Sequence, residues 1–157
     1  MVFVPMRRQD KEMSNEKAQL LLMKGLVGRL GTYGRNGYPL ITPLHYYFDK
    51  NKIILHSALK GNKLDNIENH AQVCFEVDIV EEIKEAEEPC NYTTRYASVM
   101  VFGHAEVILD EEKKQHFLTL LAEKYSKKPV DRLLKEKVKK SAVIVINIEH
   151  ISGKGHL

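Results

Sequence analysis

The sequence predicts a mainly β protein whose six antiparallel strands close into a barrel, with a few helices outside it. Two observations carry this prediction. Apolar residues alternate with polar or small ones in runs of strand length, and most of these runs are joined by short turn-forming segments rather than by helical crossovers. A closed barrel also leaves no exposed strand edge. Because 157 residues is the size of one domain, we predict a single domain over residues 1–157.

The chain is predicted to begin with a helix and a β-hairpin. Ser14 is suited to be an N-cap and Gly25 follows the last residue of a helix-forming run, which predicts a helix over residues 14–24. A strand over residues 26–33 then enters a turn at residues 34–37, where glycine and asparagine favour chain reversal. The first strand is therefore expected to pair with the segment that follows it.

The returning strand, Tyr38 to Phe48, shows the clearest alternation. Its even-numbered residues from Leu40 onward are predicted to share one face and its odd-numbered residues from Ile41 the other. Pro43 lies inside this strand. Because proline has no N–H to donate, it indicates a bulge, an edge, or a place where the backbone is left open for another group.

The remaining elements follow from the same periodicities. In chain order they are a strand over 52–57, a helix to Asn69, a strand over 71–80, a solvated acidic loop over 81–89, a long strand over 97–107, a helix from the cap Asp110 to about Tyr125, a Lys-rich segment to Lys140, a strand over 142–148 and a tail over 151–156. The small apolar face of the long strand is expected to line the barrel interior.

Composition and charge exclude several classes of protein. No apolar stretch approaches the ~18 residues that cross a bilayer, so no membrane partner is expected. A net charge of +3 is too small to indicate nucleic-acid binding without a concentrated basic face. Residues 110–140 carry a net charge of +4, but without stacking aromatics they are interpreted as a solvated surface. Cys74 and Cys90 form no CxxC motif and the N-terminus lacks a signal-peptide pattern, which favours the cytoplasm.

Motifs for common chemistries are missing. There is no dinucleotide-binding glycine fingerprint, no Walker loop and no GxSxG elbow. The seven histidines form no HExxH or HxH arrangement, so no metal site is predicted. His45 and His104 lie on strand faces opposite the predicted core, where contact with solvent or with a second subunit is expected.

The most informative segment is His56 to Lys63, where a strand is predicted to give way to a helix. A helix N-terminus presents unpaired N–H donors and a partial positive charge, the hydroxyl of Ser57 adds a polar group, and Lys63 adds a full positive charge. This combination suits a phosphate. The alternative is an ordinary N-cap by Ser57 with solvated lysines.

Four segments in order and spacing carry a resemblance to a known family. They are Met6–Asp10 (MRRQD), Tyr38–Leu44 (YPLITPL), His56–Lys63 (HSALKGNK) and Tyr96–Gly103 (YASVMVFG). The chain resembles the pyridoxamine 5′-phosphate oxidase-like FMN-binding proteins, specifically their nitroimidazole-resistance branch. The resemblance implies a split β-barrel homodimer that holds FMN at each of two subunit boundaries.

The resemblance also implies roles for single residues. Ile41, Thr42 and Pro43 would supply backbone contacts to the isoalloxazine ring, while Ser57 and Lys63 would bind the phosphate. Ser98 and Val99 match the segment that closes the pocket from the second subunit, and among the tyrosines Tyr96 is the candidate to stack on a ring. Arg7 and Arg8 match the amino-terminal signature of the family, with no contact assigned.

His56 matches a histidine near the flavin that has been proposed to take part in reduction, and it is counted with both the cofactor-binding and the catalytic residues. An imidazole that titrates near neutrality could deliver a proton. The alternative is a strand-end histidine that only hydrogen-bonds its neighbours. The expected function is a flavin-dependent reductase of small aromatic or nitroaromatic compounds. The alternative function is a flavin or haem carrier or sensor of the same fold.

Overall fold

The computed structural model describes residues 3–131 and 133–156. Its helices are α1 (Asn15–Lys24), α2 (Asn62–Asn69), α3 (Glu111–Tyr125) and α4 (Lys135–Lys139), and its strands are β1 (Val27–Tyr33), β2 (Pro39–Asp49), β3 (Lys52–Ala58), β4 (Gln72–Lys84), β5 (Thr93–Ile108) and β6 (Ser141–His156). Single 3-10 turns lie at Gln9–Lys11 and Pro89–Asn91.

The strands form a closed barrel in the order β1-β2-β3-β6-β5-β4, and neighbouring strands are antiparallel. The predicted fold class, a mainly β six-stranded antiparallel split barrel with flanking helices, is therefore confirmed. Hairpins join β1 to β2, β2 to β3 and β4 to β5, whereas helical segments join β3 to β4 and β5 to β6. Except for β3 and β4, strands that follow one another in the sequence are also neighbours in the barrel.

Side chains of alternate residues fill the barrel. The predicted inner face of the long strand is confirmed, because Ala97, Val99 and Val101 are almost completely buried. Tyr46 and Phe75 are the largest fully buried side chains, and their rings meet edge to face at 5.0 Å. Burial of this size stabilises by about 1.5–3 kcal/mol for each large apolar side chain.

A second apolar cluster forms outside the barrel. Outward-facing residues of β3 and β6 pack against one side of α3 and against Val138 of α4. Asp110 caps α3 by accepting a hydrogen bond from the Lys113 N–H at 2.8 Å, and Ser14 accepts one from the Lys17 N–H at 3.4 Å at the start of α1. Both predicted caps are confirmed.

The boundary between β3 and α2 differs from the prediction. Ser57 belongs to β3, where it lies opposite Ala142 of β6, and α2 begins only at Asn62. Gly61 precedes the helix with a φ of 144°, a conformation that side chains with a Cβ rarely adopt. Ser57 therefore does not cap α2. The buried Asn66 amide and the Thr32 hydroxyl, hydrogen-bonded at 3.0 Å, hold α2 against β1.

Two strands extend further than the sequence indicated. β4 continues to Lys84 through half of the predicted acidic loop, because Lys84 pairs with Thr93 at the start of β5. The predicted tail over residues 151–156 is part of β6, which pairs with β5 as far as Tyr96 and His156. These stretches lack apolar alternation, so only the backbone ladder with β5 identifies them as strands.

Candidate functional site

The barrel is split between β2 and β3. Their ladder contains only the four residue pairs from Asp49 and Lys52 to Tyr46 and Leu55. Beyond Tyr46, β2 continues to pair with β1 alone, while β3 continues to pair with β6 alone. The two strands therefore separate, and backbone groups on their facing edges have no ladder partner.

The direction of the ladder shows which backbone groups face the split. The Tyr46 N–H donates to the Tyr125 hydroxyl at 2.9 Å, and the same hydroxyl lies 2.8 Å from the carbonyl of Leu26, on the β1 side. Because backbone groups of successive residues point to opposite edges of a strand, Ile41 and Pro43 direct theirs into the split. Pro43 carries no N–H, so one fewer donor is left unpaired at this edge.

The same alternation separates Thr42 from its neighbours. Its backbone groups point toward Leu30 of β1, so a contact from Thr42 to a group in the split has to come from its side chain. On the facing strand, Ile54 pairs with Tyr47, so the backbone groups of Ile54 point toward β2. Because these groups alternate along a strand, those of His56 and Ala58 point into the split.

Ser57 supplies an unpaired hydroxyl at the end of this split. Its Oγ is buried and has no hydrogen-bond partner among the described residues. Buried hydroxyls are nearly always hydrogen-bonded, so an orphaned one indicates a group that binds there. Ser57 thus has the property expected of a ligand contact, although it does not cap a helix.

Positive groups surround His56. Burial has the largest effect in lowering the pKa of His56, and charge repulsion from His45 and Lys63 lowers it further. The His56 side chain is exposed at the mouth of a cavity, but the protein atoms around its imidazole remove part of its hydration shell. The lowered pKa means that the ligand-free protein holds His56 mostly neutral at pH 7. A nearby anion would reverse this effect.

A cavity of about 260 Å³ lies on the outer side of the split, beneath α3 and α4. His45 and His56 line one side of it, and Leu118, Leu121 and Val138 line the other. The cavity therefore combines an apolar wall, suited to a flat organic ring, with the polar imidazoles of two histidines.

His45 and Tyr125 are site residues that the sequence reasoning missed. His45 faces away from the core and is exposed, as predicted, and its ring lies 4.6 Å from that of Tyr125 in α3. The Tyr125 hydroxyl also continues the β1–β2 ladder beyond its last residue pair. The only local signal for His45 was its position two residues after Pro43, on the same face of β2.

Tyr96, Ser98 and Val99 form a second group at the other end of β5. Tyr96 pairs with His156, and the ammonium of Lys11 lies 5.9 Å from the centre of the Tyr96 ring. Ser98 points to the outer face, whereas the Val99 side chain is completely buried in the barrel. Only the backbone of Val99 could therefore reach a ligand or a second subunit.

The amino-terminal signature lies beside this second group. Arg8 pairs with Asp10 at 2.5 Å, and the hydrogen bond to this carboxylate raises the pKa of Arg8. The Asp10 carboxyl has its pKa lowered to about 2 by the hydrogen bond from Arg8. Arg7 is exposed. These residues extend the second group on the outside of the barrel.

The predicted site residues lie in two groups on the barrel. Ser57 lies opposite Ala142 of β6, one residue beyond the point where Val143 meets Ile108 at the end of β5. Ser98 is ten residues earlier on β5 and pairs with Asp78 of β4, whose carboxylate binds Arg29, the β1 partner of Pro43. We call the residues around Ser57 and the residues around Ser98 the two half-sites.

Comparison with known proteins agrees with this architecture. The sequence profile of the family described as pyridoxamine 5′-phosphate oxidase matches residues 14–155. The chain belongs to the pyridoxamine 5′-phosphate oxidase family. This is a family of flavin-binding split barrels. A search with the sequence against curated proteins finds no significant match.

Solved structures of this fold superpose closely at low identity. A Bacteroides thetaiotaomicron protein, assigned provisionally to 5-nitroimidazole antibiotic resistance, has 21% identity and a TM-score of 0.81 over 91% of this chain and 85% of its own. The flavocytochrome Anf3 from Azotobacter vinelandii has 21% identity and a TM-score of 0.86 over 98% and 72%. A FAD and heme binding protein from Mycobacterium smegmatis has 18% identity and a TM-score of 0.83 over 92% and 73%. These likenesses show the fold.

Within residues 3–131 and 133–156, no group of three His, Cys, Asp or Glu side chains is arranged to hold a metal ion. In the same part of the chain, no helix is long and apolar enough to span a membrane.

Proposed function

We propose that this member of the pyridoxamine 5′-phosphate oxidase family is an FMN-dependent reductase of small aromatic compounds, including nitroaromatic ones. The observation that carries the proposal is the orphaned Ser57 hydroxyl at the end of the split, close to positive groups. A buried hydroxyl without a partner and a nearby ammonium fit the phosphate of FMN, which carries strong acceptor oxygens and negative charge.

The residues around the split fit the rest of the cofactor. Ser57 and Lys63 would hold the phosphate, while the backbone edges at Ile41, Pro43 and His56 would border the isoalloxazine ring. FMN supplies the exchange of one or two electrons when it is bound. The protein positions the substrate against it in the apolar cavity beneath α3 and excludes water.

His56 is proposed as the residue that moves a proton. It is neutral in the ligand-free protein, so it can accept a proton there, and the negative charge of a bound phosphate favours its protonated form. His45 lies close enough to influence this equilibrium and shares the same cavity. The imidazolium formed in this way can donate to a substrate atom that gains electrons.

We also propose a homodimer with both cofactor sites at the subunit boundary. In this dimer the half-site around Ser98 of one copy would meet the half-site around Ser57 of the other, as the resemblance to the family implies. An apolar groove on the outer face of β1, β2, β4 and β5, lined in part by Tyr33, Ile41 and Phe102, offers the surface that such a copy would cover. Cys74 and Cys90 are free thiols. Free thiols fit the proposed cytoplasmic location, where disulfides are rare.

The proposal is tested by comparing FMN with riboflavin, which lacks the phosphate. The purified chain should bind FMN with the two broad visible bands of a flavin, and riboflavin at least ten times more weakly. Lys63→Ala should weaken FMN by about 10- to 150-fold, the equivalent of ~1.5–3 kcal/mol for a charged hydrogen bond, and leave riboflavin unchanged. Lys17→Ala, on the exposed face of α1, is the control. A colourless protein that takes up no FMN would refute the proposal.

The reductase step is tested separately. His56→Ala should retain FMN, yet its pre-reduced form should transfer electrons to a nitroaromatic compound much more slowly than the wild type under anaerobic conditions. Stopped-flow absorbance at the flavin bands measures this rate. An unchanged rate would assign His56 a purely structural role.

A second candidate function is that of a flavin or haem carrier without turnover. The observation that favours it is the pair His45 and His56 in an apolar cavity, since imidazoles are common axial ligands of haem iron. The absorption spectrum distinguishes the two, because haem gives a Soret band and a flavin does not.

A further inference from the structure

A two-stranded ribbon projects from the barrel where β4 and β5 extend beyond their other partners. β1 reaches β4 only at Cys74–Glu76, and β6 leaves β5 at Tyr96, so residues 82–84 and 93–95 pair only with each other. We call residues 81–92 the acidic arm. Isolated two-stranded ribbons are marginal in water, which indicates that another surface stabilises this one.

The arm exposes both charge and apolar surface. It contains five glutamates and one lysine, a net charge of −4. Among the described residues, Glu81 pairs with Arg95 at 3.3 Å, and the other four glutamates form no ion pair. Ile83 and Tyr92 are 64% and 46% exposed. Such a surface requires a partner that is basic and partly apolar.

A surface of this kind occurs elsewhere in the same chain, between α3 and β6. We call residues 126–140 the cap segment, which follows α3 and includes α4. It contains seven basic and two acidic residues, a net charge of +5, and Leu134 is 71% exposed. Lys137 also lines the cavity beside His56. The cap segment therefore combines basic and apolar surface at the mouth of the candidate site.

Within one chain the arm and the cap segment are not joined. Among the described residues no ion pair links them, and Ile83, Tyr92 and Leu134 stay exposed. The contact is possible between two copies. If Ser98 of one copy lies at the Ser57 end of another, the start of its arm is five residues further on, within about 17 Å.

We propose that the acidic arm of one chain binds the cap segment of a second copy and forms the outer wall of that copy's cavity. This proposal rests on the proposed dimeric flavin site. Single exposed ion pairs contribute little to binding, so the contact depends on several charges together with the apolar residues Ile83, Tyr92 and Leu134. The second copy thereby completes the substrate pocket.

The exposed Cys90 near the tip of the arm makes the contact measurable. A Cys74→Ser background leaves Cys90 as the only native thiol. Lys135→Cys in this background should give a covalent dimer with a short bismaleimide cross-linker, seen on a denaturing gel. Lys17→Cys, on the exposed face of α1, is the matched control and should give little covalent dimer.

Charge reversal supplies the second measurement. Glu85→Lys, Glu87→Lys and Glu88→Lys together should reduce cross-linking through residue 135 at least fivefold, while dimer mass by light scattering and FMN occupancy stay unchanged. Equal cross-linking in the Lys17→Cys control, insensitivity to charge reversal, or a monomeric protein would overturn the proposal.

The two proposals can fail separately. A dimer that binds FMN but gives no cross-link through residue 135 refutes the arm contact alone. Specific cross-linking in a protein that takes up no flavin refutes the proposed function alone. If the cap segment instead binds a single-stranded oligonucleotide while the intact dimer gives no cross-link, its partner is nucleic acid and the arm contact is refuted.

Discussion

Replacing Ser57 with alanine should change protein stability and cofactor affinity in opposite directions. In the ligand-free protein the Ser57 hydroxyl is buried without a partner. A buried unsatisfied polar group costs ~1–3 kcal/mol, so Ser57→Ala should raise the free energy of unfolding of the cofactor-free protein by up to about that amount. For a chain of this size, each kcal/mol corresponds to a rise in Tm of about 2–4 °C.

The same variant should bind FMN more weakly. A hydrogen bond from a hydroxyl to a charged phosphate contributes ~1.5–3 kcal/mol, so its loss should raise the Kd for FMN by about 10- to 150-fold. Riboflavin has no phosphate, and its Kd should stay within about twofold. The gain in stability and the loss in affinity arise from one atom, since the hydroxyl is unsatisfied until the ligand is bound.

Thermal unfolding of the cofactor-free protein and fluorescence titration with FMN measure the two effects. Ser14→Ala is the control, because the Ser14 hydroxyl accepts a hydrogen bond from the Lys17 N–H. This variant should lower Tm, at a cost of about 0.5–2 kcal/mol, and should leave the Kd for FMN unchanged. A Ser57→Ala protein that is less stable than the wild type, or that binds FMN normally, would refute the reasoning.

Three further predictions concern charge and packing. Lys63→Met should raise the pKa of His56, measured by NMR, because it removes a positive charge near the imidazole. Since folding lowers the pKa of His56, this residue stabilises the wild type above its ordinary pKa, and the stabilisation is lost as pH falls. Gly28→Ala should destabilise by about 1–3 kcal/mol in chemical denaturation because its Cβ would overlap the ring packed against it, whereas Gly31→Ala should cost less because its Cβ has only ordinary contacts. Burial lowers the pKa of Lys124 to about 8, so the wild type should gain stability relative to Lys124→Met as pH rises from 8 toward 10.5, and a pH-independent difference would contradict this.

Features with a local signal could be predicted from the sequence. Alternation placed Tyr46 inside the barrel and Ile41 outside it, and both positions are confirmed. Ser14 and Asp110 were recognisable as caps because an N-cap bonds to a residue only three positions later. Fold class and helix starts depend on such short-range patterns, and one chain is enough to reveal them.

The end of the split had no local signal. Pro43 indicated an edge or an open stretch of backbone, but nothing in the composition of β2 shows that pairing with β3 stops at Tyr46. For the same reason the sequence did not show that the exposed His45 lies beside Tyr125 of α3. Whether a strand edge is paired depends on a distant segment, and a period of two residues contains no information about that segment.

The proposed dimer makes β5 the element that couples the two cofactor sites. In a two-fold symmetric pair each contact occurs twice, so the Ser98 half-site of each copy meets the Ser57 half-site of the other. The arm at the start of β5 and the cap segment beyond its end are then brought together by the same rotation. Because a rigid strand joins Ser98 to the arm, a change in subunit orientation would move the flavin contact and the pocket wall together. In the proposed dimer, the length of β5 therefore sets the distance between the flavin contact at Ser98 and the arm that forms the pocket wall.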